Sequence, residues 1–293
     1  MNRLLTTTAL TALLVAPAFA TDLNVAAANV SSYLDPGRDH SNVGSQFYFN
    51  TFDPLIHKDY STAEAKWMPG LATEWKLIDD TTMELTLRQG VTFQNGDAMT
   101  ADDVVFSLNR MYQATFAPYQ VRSRDRLENF AEAEKVDEYT VRIKAKRAEP
   151  LWETLLNLQQ VFIIPEDYTK GLTGDPKVAE DSDYEAFSLV PVGTGPYAVS
   201  EFVPGQKIVW TRFDGFWGDK APLDTVTVTR VPEIASRLTA LKTGEVDMIT
   251  NVAPDQLALI ESEPAMHAAG SATALFHVMI MNMNHPKLKD ARI

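Results

Sequence analysis

Between Leu87 and Arg110 the sequence reads LRQGVTFQNGDAMTADDVVFSLNR. Asp97, Asp102 and Asp103 in this run raise the question of a cation or phosphate site. Hard cations take several carboxylate and carbonyl oxygens at once, and a calcium loop supplies them as D-x-[DN]-x-[DN]-G with a distal glutamate. The three aspartates do not have that spacing. Each has a local use instead. Asn95-Gly96 is a strong turn signal. Thr100 stands as N-cap three residues before Asp103, the arrangement of a capping box. Asp102 and Asp103 occupy the first helical turn, where the helix dipole favours negative charge. The stretch reads as scaffold.

Other catalytic chemistry finds equally little support. The five histidines, His40, His57, His267, His277 and His285, are scattered, and no H-E-x-x-H suggests a metal centre. G-x-S-x-G and G-x-x-x-x-G-K-[ST] are both absent, so neither a nucleophile elbow nor a phosphate-cradling loop is indicated. Gly193-Thr194-Gly195-Pro196-Tyr197 lacks the third glycine and helix start of a nucleotide loop, and Pro196 suits a turn into a strand. Thirty-nine acidic residues leave a carboxylate pair conceivable, but no spacing singles one out. Nothing in the sequence asks for a cofactor or a metal.

The 293 residues carry a formal net charge of −13, with 45% apolar and 22% charged side chains and no cysteine. This is globular composition, and its acidity argues against nucleic acid as a partner. Residues 1–20 have Arg3, an apolar run and Ala18-Phe19-Ala20, the layout of a cleavable signal peptide. Without cysteine, lipid attachment at the cleavage site and disulfides are both excluded. The chain is expected to be periplasmic and not a lipoprotein.

Strands and helices mix along the remainder, predicting an α/β or α+β architecture. Leu23–Ala27 reads as a buried strand, followed by a polar loop from Asn29 to Gly37. Residues 44–56 carry a helical pattern. Met83, Leu85 and Leu87 alternate with polar residues as a half-buried strand, with Val91 and Phe93 resuming as a second. Val104, Leu108 and Met111 give the next helix its buried face. Further strands are expected at 139–145, 161–165, 208–213, 225–231 and 246–249. Helices are expected at 151–158 and 232–241, the latter stopped by Gly244, and another after Pro254. Thr169–Ser188 reads as a long surface connection.

Several of these stretches, taken in order, resemble the extracytoplasmic solute-binding proteins of bacterial ABC importers, family 5, the dipeptide/oligopeptide/nickel-binding type. They are Leu34-Asp35-Pro36, Pro69-Gly70-Leu71-Ala72 with Trp75, Leu87–Phe93 with Gly96, Thr100–Leu108, Val192–Tyr197, Leu241–Asp247, and Asn282 with Asp290–Ile293. The resemblance implies a two-lobed type II periplasmic binding protein. It implies a division into a signal peptide (1–20), a first segment of lobe one (21–50), an inserted subdomain (51–189), a second segment of lobe one (190–272), and a hinge crossing with the start of lobe two (273–293). Because the pattern of the family continues past Ile293, lobe two is expected to be largely missing, and the sequence to be the amino-terminal part of a longer chain. The implied function is capture of a peptide or related solute by a monomer, without chemistry, and delivery to ABC permease subunits at the inner membrane. Ligand-binding residues implied on this half are Asn29, Ser31, Tyr33, Tyr119, Arg122, Gln159, Gln160, Phe276 and His277. An exported hydrolase with a carboxylate pair, or a chemoreceptor-linked or chaperone-like binder, are the alternatives.

Overall fold

The computed structural model describes residues 21–38, 41–59, 64–113, 127–157, 161–174 and 181–270. Within Met1–Asn251, one compact unit, the described chain builds two larger sheets. The first is five-stranded, in the order β11-β1-β10-β9-β8. Its strands are β1 (Asp22–Ala27), β8 (Tyr197–Val203), β9 (Lys207–Arg212), β10 (Thr225–Arg230) and β11 (Met248–Ile249). β1 runs parallel to both β10 and β11, while β9 is antiparallel to both of its neighbours. The second sheet is four-stranded and antiparallel throughout, in the order β4-β5-β7-β6. It comprises β4 (Ala72–Asp79), β5 (Thr82–Leu87), β6 (Phe130–Asp137) and β7 (Thr140–Ala145). A small hairpin, β2 (Ile56–Lys58) with β3 (Trp67–Pro69), forms a separate two-stranded sheet.

Each sheet has its own core. The four-stranded sheet buries alternate residues Met83, Leu85, Leu87, Val141 and Ile143, as period-2 geometry requires. They pack with Val104, Leu108 and Met111 of α2 (Ala101–Gln113). The outer face carries a ladder of charges in register: Lys76 opposite Glu84, Glu84 opposite Arg142, and Arg142 opposite Glu134. Glu84 pairs with both Lys76 and Arg142 at 2.8 Å, and Lys144 with Glu134 at 2.7 Å and Glu132 at 2.9 Å.

The core of the five-stranded sheet is aromatic. Phe47, Tyr48 and Phe52 from α1 (Asn42–Thr51) and its C-cap meet Phe162, Phe187 and Trp210. Phe52 stacks on Phe162 and Phe187 with centroids 6.0 and 6.4 Å apart, within the range of favourable aromatic pairs. Phe106, Phe162, Ile164 and Phe187 reach this core from the segment that also builds the other sheet. α2 therefore serves both cores, Val104 and Leu108 on one side and Phe106 on another.

The capping box forms as the sequence predicts. The Thr100 backbone N–H donates to Asp103 Oδ2 at 2.8 Å, and Asp102 N–H donates back to Thr100 Oγ1 at 3.3 Å. Asp103 Oδ1 also accepts from Glu166 N–H at 2.9 Å, the first residue of α4 (Glu166–Thr173). One carboxylate thus caps two helices. Burial raises its pKa, and its bonds to both helices oppose that rise without cancelling it.

Several expectations are corrected. The helix expected at 44–56 ends at Thr51, because Phe52 is extended and Ile56 enters β2. Val91–Phe93 forms only an isolated bridge, Thr92 to Ala98. Val161–Pro165 is buried but joins no sheet, since Ile164 N–H donates to Ser107 Oγ rather than to a strand. The described residues of the stretch 169–188 are almost all helical, in α4 and α5 (Asp181–Leu189). α3 is limited to Trp152–Leu156 among the described residues. α6 (Ile234–Thr243) ends as expected at Gly244, whose φ of 73° is left-handed. The unit Val252–Ile293 has a 3-10 turn, Pro254–Gln256, leading into α7 (Leu257–Glu261). No helix among the described residues is long and apolar enough to cross a membrane.

Candidate ligand-binding edge

Open sheets with parallel strands place ligand sites outside the carboxyl ends of those strands. Here that edge is where β1, β10 and β11 end together. The ladder continues one step past the strands, with Val231 N–H donating to Ala27 O at 2.8 Å and Thr250 N–H to Ala26 O at 3.2 Å. The β8–β9 turn joins the same edge, since Gly205 N–H donates to Ser31 O at 2.9 Å and Arg230 N–H to Gln206 O at 2.7 Å. Gln206, Lys207, Thr229 and Arg230 line an open cavity of about 510 Å³ there.

The loop that leaves β1 is shaped by buried polar groups. Ser31 is buried; its hydroxyl accepts from Tyr33 N–H at 3.1 Å and donates to Tyr33 O at 2.6 Å. Tyr33 is half-buried with the Arg38 guanidinium 3.8 Å from its ring centroid. Asn29 is exposed. Behind the loop, Asp35 and Arg110 make a fully buried, two-pronged ion pair, Nη1–Oδ1 at 3.1 Å and Nη2–Oδ2 at 2.6 Å. Asp35 Oδ1 also accepts from Gly37 N–H, and the Tyr48 hydroxyl donates to Asp35 O at 3.0 Å. The parallel fork of arginine on carboxylate fixes orientation as well as distance, so the loop's path is set from α1 and α2 together.

A second polar knot joins the two sheets through Gly193-Thr194-Gly195. The Gln94 side chain accepts from Gly193 N–H and donates to the carbonyls of Thr51, Gly195 and Tyr197 at 2.9–3.1 Å. Both glycines lie against α1: a Cβ on Gly193 would stand 2.1 Å from Thr51 O, and one on Gly195 2.7 Å from Thr51 C. Beside them, buried Asp53 accepts from Thr194 Oγ1 and Trp217 Nε1 at 2.9 Å, with His57 Nε2 3.9 Å away. Burial holds the Asp53 carboxyl above its ordinary range and the His57 imidazole below its own. The hydrogen bonds to Asp53 run to structural partners, so this knot fastens segments together. Among the described residues no group of three His, Cys, Asp or Glu side chains could hold a metal ion.

The family model for bacterial extracellular solute-binding proteins, family 5 Middle, matches residues 66–293. The chain belongs to this family. A relative is the probable ABC transporter periplasmic-binding protein SapA of Escherichia coli, 28% identical over 269 residues, covering 85% of this chain and 47% of that one. The dipeptide-binding protein of the same organism is 25% identical over 260 residues, covering 83% and 46%. Among solved structures, DppA from Helicobacter pylori, an ABC transporter-associated periplasmic binding protein in complex with the peptide STSA, superposes with a TM-score of 0.72. It is 25% identical, and the match covers 84% of this chain and 50% of that one. The fold is that of type II periplasmic binding proteins, and the chain spans about half the length of the curated relatives it matches.

Of the family-implied ligand residues, Asn29, Ser31 and Tyr33 fall together on the loop after β1. Tyr119, Arg122, Gln159, Gln160, Phe276 and His277 lie outside the described residues, as does the signal-peptide segment 1–20. The family pattern flags Leu34-Asp35-Pro36, but sequence reading misses the Asp35–Arg110 pair. A signal exists on α2: Asp103, Ser107 and Arg110 repeat at helical spacing and are all buried, a second, polar stripe beside the aliphatic one.

Proposed function

We propose that this chain forms the first lobe of a periplasmic solute-binding protein of an ABC importer, which captures a peptide between two lobes and delivers it to a membrane permease. In this reading residues 1–20 are a cleaved signal without a lipid anchor. Residues 21–50 and 190–272 form the lobe, 51–189 a subdomain inserted into it, and 273–293 the start of the crossing to a second lobe. The protein acts as a monomer that binds without making or breaking bonds. The observation that carries the reading is the β1 loop: it stands at the carboxyl edge of the parallel strands, anchored from behind by Asp35 and Arg110, with Asn29 exposed. Ser31 shapes the loop, leaving Asn29 and the Tyr33 ring as contacts. An extended peptide there would pair through its backbone, with side-chain pockets setting selectivity.

The test is the melting temperature of the full-length protein against di- to pentapeptides, nickel with and without histidine, haem and short sugars. A ligand bound only by the folded state adds about 2.7 kcal/mol at one hundred times its dissociation constant, a shift of several degrees. Peptides are expected to produce it, and Asn29→Ala and Tyr33→Ala to reduce it. A shift with metal, haem or sugar alone would reassign the ligand, and no shift with any of them would overturn the reading.

A further inference from the structure

Arg237 on α6 is 3% exposed, and it pairs with no carboxylate among the described residues. Its guanidinium donates to backbone carbonyls instead: Nη1 to Val231 O at 2.7 Å and Pro232 O at 2.6 Å, and Nη2 to Asn251 O at 3.3 Å. Nε has no hydrogen-bond partner among the described residues. A buried cation without a counter-ion is expensive, and a hydrocarbon side chain would pack in its place without that cost. What a hydrocarbon cannot do is hold carbonyls of two separate segments in one plane, which the rigid guanidinium fork can.

Those segments are the ones that leave the carboxyl edge. Val231 and Pro232 follow β10, and Asn251 follows β11. Asn251 has a φ of 56°, a left-handed conformation uncommon outside glycine, and the compact unit ends at this residue. A left-handed backbone residue and a buried charge thus meet at one guanidinium. We infer that Arg237 is a positioning residue: it fixes the direction in which both segments leave the carboxyl edge, and through them the geometry of the edge that receives the solute. The second half rests on the solute-binding reading; the first half does not.

Arg237→Lys and Arg237→Met in the full-length protein separate these. Lysine keeps the charge but lacks the fork, so both variants should exchange the amides of Val231 and Thr250, which bond Ala27 O and Ala26 O, at least about tenfold faster. Amides of β5 and β7 should exchange at the wild-type rate. Wild-type protection at Val231 and Thr250 in Arg237→Lys, or equal acceleration across all strands in both variants, would overturn the positioning role. The same variants are then titrated with whichever panel compound raises the melting temperature of the wild type. Binding weakened at least about fivefold, with β5 and β7 still protected, supports the link to capture, and unchanged binding overturns it. A wild type that responds to no compound would remove the solute reading while leaving the exchange result to stand or fall alone.

Discussion

On the outer face of the four-stranded sheet charged groups pair across neighbouring strands, whereas behind the loop that leaves the five-stranded sheet one charged pair lies inside and joins distant parts of the chain. Glu84, Lys76 and Arg142 form a ladder on a wet surface. Asp35 and Arg110 are 75 positions apart and both buried. The outer ladder keeps a sheet face soluble and contributes little else, because exposed pairs gain little in water. The inner pair is committed: breaking one partner leaves an uncompensated buried charge. Polar groups in the first region serve the sheet that bears them, and in the second they hold the loop after β1 in place at the carboxyl edge of the parallel strands.

The contrast can be broken at its strongest point by Arg110→Met. Asp35 would be left buried without its cation, and stability should fall by about 3–5 kcal/mol, read from the midpoint of denaturant unfolding. A loss below ~1 kcal/mol would mean that the inner pair behaves like a surface one. A middle case is Asp103→Ala, which removes the cap shared by α2 and α4 and should cost roughly 1–3 kcal/mol by the same measurement. The smallest effect belongs to Glu84→Gln: a slight shift in midpoint at low salt that disappears in high salt. A salt-insensitive loss comparable to that of Arg110→Met would erase the distinction between the two regions.

The same contrast explains what could be read in the sequence. The alternation at Met83–Leu87, the Thr100–Asp103 box and the Gly244 stop follow local rules, and all form. Val161–Pro165 misleads because an apolar run signals burial but not the partner that satisfies its backbone. That partner is Ser107 Oγ on α2, and no period in the sequence reveals it. Residues 169–188 look like a loop because their helices are short and polar, held by packing of Thr169, Thr173 and Phe187 rather than by propensity. For the site, the motif locates the β1 loop. The geometry behind it depends on contacts such as Trp210 Nε1 to Thr51 Oγ1, 159 positions apart, and such pairings are invisible one residue at a time.

The aromatic core has a consequence for how such proteins can diversify. Phe106, Phe162, Ile164 and Phe187 belong to the stretch between β1 and β8, which contributes no strand to the five-stranded sheet, yet they fill the interior beneath that sheet. An exchange of this stretch between two relatives would carry half a set of interlocking rings into a host shaped for another set. Crossovers that retain function should therefore fall outside it, and the stretch and its host should be inherited together.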